Sequence, residues 1–196
     1  MKKIILALCI ITGFISCKQE PATPPTAVLD GMFAAMKSGN IEEMKKHISR
    51  SDLNMLEAAE KIITSVDPEG IKKIKARIIE GFKENTKDIT YSFKNENIDG
   101  DHATVETEIA KPDSLGVKKT ATHTFELVKE DNAWKIALSK PGNEMFNSMK
   151  GNMGPDKGGL KDALGKLQKM DRDTLKMIIS RGSQAIDSMD KKKKEQ

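Results

Sequence analysis

The chain has 196 residues, of which 37% are hydrophobic and 32% are charged, and its formal net charge is +4. This length suits one folded domain with additional segments, and the composition predicts a small core under a highly charged surface. A polytopic membrane protein is excluded, because only residues 4–17 form an uncharged stretch of more than ten residues.

The N-terminus predicts a secretory signal with a site for lipid attachment. Met1-Lys2-Lys3 is a short basic segment, and the uncharged residues 4–15 follow it. The run is shorter than the roughly 20 apolar residues that a transmembrane helix needs, so we expect cleavage. Its ending, Phe14-Ile15-Ser16-Cys17, resembles the lipobox of bacterial lipoproteins. This resemblance implies that residues 1–16 are removed and that Cys17 carries the lipid, including a palmitate-type acyl chain.

Acylation at Cys17 predicts a location in the bacterial cell envelope, at the periplasmic side of either membrane or at the cell surface. Cys9 leaves with the signal, so Cys17 becomes the single thiol of an exported chain, where pairing would otherwise be expected. The lipobox differs from the commonest form at Phe14 and Ile15, which indicates a Gram-negative group with a relaxed box. The alternative is an ordinary signal peptide that is cleaved elsewhere. Residues 17–25 are polar and proline-rich and are predicted to form a tether.

Helical periodicity extends over residues 26–84. The first helix carries its apolar residues at helical spacing: Val28, Leu29, Met32, Phe33 and Met36. Ser38-Gly39-Asn40 ends this helix, and Asn40 favours a second helix that continues through Ile48. A third helix is expected after Ser51-Asp52. Asp67-Pro68-Glu69 predicts a fourth, because a capping residue precedes proline at the first helical position. Its apolar stripe is Ile71, Ile74, Ile78 and Phe82.

From residue 88 onward the hydrophobic period changes to two. The alternation predicts four strands, near residues 89–94, 103–109, 121–127 and 134–138. Short polar turns separate the first pair and the last pair, and a longer loop separates the middle pair. Helices followed by a run of strands indicate an α+β fold, with N-terminal helices packed on an antiparallel meander that has one solvated face.

Three short segments carry a resemblance to a known family: AMKSGNIEEM in the helical part, DGDHATVETEI in the strands and KEDNAWKIAL at their end. Together they resemble the small bacterial lipoproteins of unknown function that have a cystatin-like, nuclear-transport-factor-2-like domain. The resemblance assigns residues 26–140 to this domain. It implies a curved sheet of about four strands around the helices and a cone-shaped cavity. It implies no activity, because the superfamily includes both enzymes and binding modules.

Residues 141–196 extend beyond this domain. A glycine-rich, flexible break is followed by two amphipathic helices, with apolar stripes at Leu160, Ala163, Leu164, Leu167 and Met170, then at Leu175, Ile178, Ile179, Ala185, Ile186 and Met189. From residue 150 onward the chain has 12 basic and 7 acidic residues and ends near a run of four lysines. A terminal helix with a solvated end is the interpretation we favour, and contact of the tail with anionic headgroups is the alternative. Nucleic acid is not an expected partner, since aromatic and basic residues do not interleave.

The sequence contains no pattern for a cofactor or a metal, and neither is expected. The three histidines lack metal-ligand spacing, and no phosphate-binding glycine loop or nucleophile elbow occurs. His123 shares a strand face with Phe125 and Leu127 by alternation. In an apolar cavity an imidazole could act as a general base, as in enzymes of the resembled superfamily. We favour the other interpretation, a histidine that packs in the core or at the cavity rim, because the sequence places no acidic partner beside it.

We therefore expect a non-catalytic protein, anchored to the membrane through Cys17, that binds a small apolar ligand or an envelope protein. The residues expected to line the pocket are Phe33, Tyr91, Phe93, His123, Phe125 and Trp134. Two alternatives stay open. One is an assembly or interaction role through the helices in residues 160–189, and the other is a lyase or isomerase that uses His123.

Overall fold

The computed structural model describes residues 23–112, 116–140 and 160–194. Their elements are α1 (Pro25–Ser38), α2 (Ile41–Lys46), α3 (Arg50–Val66), α4 (Pro68–Thr86), β1 (Thr90–Asp99), β2 (His102–Pro112), β3 (Lys118–Glu130), β4 (Ala133–Ile136), α5 (Leu160–Lys169) and α6 (Arg172–Lys194). The α+β class is confirmed. The predicted signal, Cys17, most of the tether and all of the flexible break lie outside the described residues. Pro25, assigned above to the tether, is the first residue of α1.

Local capping explains where the first helices begin and end. Gly39 has a φ of 69°, a left-handed conformation that glycine adopts without strain, and it ends α1. The Asn40 side chain accepts a hydrogen bond from the Glu43 backbone N–H at 3.1 Å and caps α2. Asp67 caps α4 in the same way, through the Gly70 backbone N–H at 2.9 Å.

The junction between α2 and α3 corrects the sequence prediction. The apolar period predicts one helix through Ile48 and a new start after Asp52, but α2 ends at Lys46 and α3 begins at Arg50. Ile48 leaves the helix because it forms a parallel bridge with Ile136 of β4. The Ser49 side chain then caps α3 by accepting from the Asp52 backbone N–H.

The four strands form one antiparallel sheet in the order β1-β2-β3-β4, as predicted. The register places Phe93 opposite Thr107, and Thr107 opposite His123. A register shift between Phe93 and Asn95 interrupts β1, which is typical of a β-bulge. Beyond the bulge β1 is exposed as far as Asp99.

Helix α1 packs against the inner face of the sheet and supplies most of the helical core. Its buried residues meet those of β2, β3 and β4; the largest fully buried apolar side chains are Phe33, Phe125, Leu29, Met32, Met36, Leu127, Ile136 and Val105. Burying a side chain of this size contributes about 1.5–3 kcal/mol. This interface therefore holds the domain together.

The two C-terminal helices pack on their own chain. Helix α5 lies against α3, and α6 lies against both α3 and α4. Leu175 and Ile179 of α6 are buried there, whereas Ile178, predicted on the same stripe, is 49% exposed. Ile78, which was predicted on the apolar stripe of α4, is also 41% exposed, because the neighbouring helices cover only part of that face of α4. Among the described residues, no helix has the length and the hydropathy required to cross a bilayer.

Candidate functional site

Four of the predicted site residues form one aromatic group. Phe33 of α1 lies 4.4 Å from Tyr91 and 5.8 Å from Phe125, measured between ring centroids. Tyr91 lies 5.6 Å from Phe93 by the same measure. Phe33 and Phe125 are buried, whereas Tyr91 and Phe93 are half-buried. The group therefore extends from the closed core to an end of the inner sheet face that reaches solvent.

His123 joins this group through a row of three side chains across the sheet. Phe93, Thr107 and His123 are directly opposite one another on β1, β2 and β3, so their Cβ atoms are about 4.5–5.5 Å apart along the row. Thr107 is fully buried, whereas Phe93 and His123 are half-buried on either side of it. Among the described residues the side chain of His123 forms no hydrogen bond and no ion pair.

The Thr107 hydroxyl is the unusual polar group of this row. Its Oγ1 is buried and has no hydrogen-bond partner in the described part of the chain. Leaving a buried polar group unsatisfied costs about 1–3 kcal/mol, and native proteins contain few such groups. A hydroxyl of this kind can donate to or accept from a bound molecule.

Polar contacts hold Tyr91, which lies beside Phe93 on the same face of β1, against α1. Its hydroxyl donates to Asp30 Oδ1 of α1 at 2.6 Å, and the Lys37 ammonium lies 5.6 Å from the ring centroid. Burial, with a smaller contribution from the bond to Asp30, raises the pKa of Tyr91 to about 12. Tyr91 is therefore neutral at physiological pH, and its hydroxyl links β1 to α1 through Asp30.

Trp134 lies apart from the other predicted site residues. It is on β4 opposite Lys129, six residues along β3 from His123, which corresponds to about 20 Å. Trp134 is 5% exposed, and the Lys129 ammonium lies 5.8 Å from its ring centroid. The structure thus brings together Phe33, Tyr91, Phe93, His123 and Phe125, and it places Trp134 in the core at the far end of the sheet.

Two open grooves on the described surface lie elsewhere. One, of about 340 Å³, runs between the β3–β4 turn and the start of α3, and its lining includes Lys45, Arg50 and Lys135. The other, of about 520 Å³, is lined by Ser139 and by residues of α5. Neither contains a predicted site residue. Within residues 23–112, 116–140 and 160–194, no three potential metal ligands lie together.

Comparisons with known proteins give only distant similarity. No protein-family model and no curated protein sequence matches the chain. The structure is similar to a designed protein of the NTF2 type, with a TM-score of 0.36 and 12% identity over 57% of this chain and 90% of that chain.

Two bacterial structures described as calcium/calmodulin-dependent protein kinase II association domains are also similar. The one from Thiobacillus denitrificans has a TM-score of 0.36 and 13% identity over 60% of this chain and 94% of its own. The one from Xanthomonas campestris has a TM-score of 0.32 and 16% identity over 59% and 87%. Similarity at this level indicates no ligand and no activity, and the α+β class follows from the helices and sheet of the chain itself.

Two residues of the site were not predicted from the sequence. Thr107 occupies one of the alternate positions of β2 that otherwise carry apolar residues. A polar residue at such a position is the sequence signal that could have identified it. Asp30 reaches Tyr91 across 61 residues of sequence, and no local pattern marks such a contact.

Proposed function

We propose that the chain is a non-catalytic, lipid-anchored envelope protein that binds a small apolar ligand at the open end of the inner sheet face. The ligand would contact Tyr91, Phe93 and His123, with Phe33 and Phe125 behind them. Its one polar group would pair with the Thr107 hydroxyl. Trp134 has a packing role in this proposal.

The observation that carries the proposal is the unpartnered Thr107 hydroxyl between two half-buried rings. The Thr107 hydroxyl is covered, so a ligand would reach it only if the Phe93 or His123 side chain turned aside. Both side chains are half-buried, at the edge of the buried face. An apolar pocket with few convergent polar groups is the usual form of a small-molecule site.

Binding is favoured over catalysis by the surroundings of His123. A histidine that acts as a general base is commonly oriented by a carboxylate, and in the described residues no carboxylate forms a hydrogen bond or an ion pair with the His123 side chain. An assembly role through α5 and α6 is less favoured, since Leu175 and Ile179 of the predicted stripe are already buried against α3 and α4. The lipid anchor is proposed from the lipobox resemblance at Cys17.

Native mass spectrometry of the full-length protein, extracted from its own membrane in mild detergent, tests the proposal. We expect an acyl mass on Cys17 and a further small co-purifying mass. Phe93→Ala should lose that mass, because it removes one side of the site. The control is Ile98→Ala, which truncates an exposed residue of the same strand and should retain it. Equal retention of the small mass in both variants would contradict a ligand site at this end of the sheet. A chain without an acyl mass would contradict the lipid anchor.

A further inference from the structure

The first half of strand β3 has no neighbouring strand on one side. Strand β4 pairs only with Leu127–Glu130, and Ala137 extends that contact by donating its backbone N–H to the Glu126 carbonyl at 3.0 Å. Within the described residues, no strand lies on this side of the preceding segment, Lys118–Thr124. The segment is exposed except for the half-buried His123. It forms a free edge of the sheet, which we call the β3 edge.

Hydrogen bonds at the end of β3 show which backbone groups point to the β3 edge. Glu126 accepts from Ala137 on the side of β4, whereas Lys129 donates to the Asp101 carbonyl at 2.8 Å on the side of β2. Successive residues of a strand direct their N–H and C=O groups to opposite sides, so the even-numbered residues of β3 face the side of β4. The residues that present both groups at the β3 edge are therefore Lys118, Thr120, Thr122 and Thr124.

The opposite edge of the sheet, on β1, is better protected against pairing than the β3 edge. A register shift after Phe93 interrupts β1, and the Lys37 ammonium binds the Ile89 carbonyl at 2.9 Å. Bulges and charged side chains of this kind are the usual means by which proteins block an edge strand. The β3 edge has a continuous register with β2 and carries its two lysines at one end. Its remaining residues are open to pairing.

The β3 edge is complementary to itself in one antiparallel register. It begins at Lys118, where the strand begins, and it ends at Thr124, because Ala137 lies beside the next edge-facing residue, Glu126. A two-fold axis at the midpoint, Ala121, pairs the whole edge with a second copy. Each edge-facing residue then lies opposite another edge-facing residue, and each such pair exchanges two hydrogen bonds.

The side chains near the axis also match in this register. Thr120 lies opposite Thr122 of the partner subunit, and threonine pairs are favourable across antiparallel strands. Ala121 lies opposite its own copy. The Cα atoms of such a pair, which is not hydrogen-bonded, are about 4.5 Å apart, so a small side chain suits the axis.

Charges at the two ends of the β3 edge are compatible with the same register. Lys118 of the partner subunit lies opposite Thr124 and diagonal to Glu126, an acid on the same face of the sheet, and long side chains reach across such diagonals. Lys119 lies opposite His123 of the partner subunit. No lysine of the edge therefore lies opposite another lysine, an arrangement that would be unfavourable.

From this arrangement we infer that the protein forms a two-fold symmetric dimer, in which the β3 edges of two copies pair antiparallel about Ala121 into one continuous sheet. A different protein would have to match the length, alternation and charge of the edge, whereas a second copy does so by symmetry. The contact is small, so we expect a weak dimer with a Kd of about 10–100 µM. The inference goes beyond the proposed ligand site and depends neither on it nor on the lipid anchor.

Disulfide cross-linking tests the register of the dimer. The background is the full chain with both cysteines replaced, Cys9→Ser and Cys17→Ser, in a mild detergent that solvates the apolar N-terminal residues of every variant. Ala121→Cys places a thiol at the axis, where Cα atoms about 4.5 Å apart suit a disulfide. The control is Ala133→Cys, at an exposed alanine of β4. Under mild oxidation at about 100 µM protein, we expect Ala121→Cys to cross-link at least tenfold faster than the control.

Proline substitution tests the backbone pairing. The Thr122 N–H is directed to the β3 edge, so Thr122→Pro removes no hydrogen bond within one chain and removes one from each half of the interface. The matched control is Ile98→Pro. Its N–H is directed to the free edge of β1, because Asn97 and Asp99 pair with the residues of β2 that face β1. In sedimentation equilibrium, Thr122→Pro should raise the dimer Kd at least tenfold and Ile98→Pro less than twofold.

Several results would overturn the inference. Cross-linking of Ala121→Cys no faster than that of Ala133→Cys would do so, even if the chain associates through another surface. A monomer mass at about 200 µM, an unchanged Kd in Thr122→Pro, or equal weakening by both prolines would do the same. Circular dichroism checks that both proline variants fold, and cross-linking decides if Thr122→Pro does not. Neither measurement needs an acyl group or a ligand, so these outcomes are independent of the proposed function.

Discussion

His47 gives the chain a stability that depends on pH. Its ring packs against Gly31, where an added Cβ would lie 2.5 Å from Cε1, and its Nε2 is buried with no hydrogen-bond partner among the described residues. Burial lowers the pKa of His47 below 6.5, and Glu43 Oε1 at 3.9 Å only partly opposes this effect. The unfolded chain therefore takes up the proton first, so this contribution is complete above pH 6.5 and is lost as the pH falls below it.

The urea concentration at the midpoint of unfolding should accordingly decrease as the pH is lowered from about 7.5 to about 5.5. This pH window lies above the range in which ordinary carboxylates titrate. His47→Gln should reduce this dependence, whereas His102→Gln, at an exposed position, should leave it unchanged. An unaltered dependence in His47→Gln would show that another group is responsible.

Thr107 links a cost in stability to the proposed site. Thr107→Val keeps the shape of the side chain and removes a buried hydroxyl that has no partner in the described part of the chain. We expect the free energy of unfolding to rise by about 1 kcal/mol, up to about 3 kcal/mol, measured by urea unfolding. Thr104→Val, on the exposed face of the same strand, serves as the control and should change it by less than about 0.5 kcal/mol. A loss of stability in Thr107→Val would mean that the hydroxyl has a partner in solution.

Helix α4 contains two glycines whose replacement by alanine should change the free energy of unfolding in opposite directions. A Cβ at Gly70 would contact both Ile179 of α6 and the Asp67 carboxylate that caps α4, whereas at Gly81 it would meet nothing within 4 Å. Gly70→Ala should therefore lower the free energy of unfolding by about 1–3 kcal/mol, through overpacking and a displaced cap. Gly81→Ala should raise it by up to about 1 kcal/mol, since alanine favours the helix interior. Urea unfolding measures both, and a neutral Gly70→Ala would contradict the close packing of α6 on α4.

Element boundaries followed from the sequence where a local signal sets them. The cap at Asp67 and the left-handed Gly39 are such signals, and both were predicted in place. The prediction was wrong at Ile48, because its bridge to Ile136 joins residues 88 positions apart and competes with a favourable helical pattern. Strand alternation likewise predicted the inner face, since the side-chain period of two is a property of the strand itself.

For the whole molecule, the sequence could not show which apolar faces meet. Amphipathic stripes identified α5 and α6 as helices, but only their packing on α3 and α4 decides that Leu175 is buried and Met177 is exposed. The same holds for the site. Aromatic residues in alternation indicated Tyr91 and Phe93, whereas the separation of Trp134 from them depends on its register along β3.

The most direct test of the ligand proposal is the mass that co-purifies with Thr107→Val. Native mass spectra of this variant and of the Thr104→Val control are compared after extraction from the same membranes. The account predicts that Thr107→Val, although at least as stable as the natural chain, loses most of the small co-purifying mass, while Thr104→Val keeps it. Full retention of that mass by Thr107→Val would contradict the central claim that the buried Thr107 hydroxyl binds a ligand.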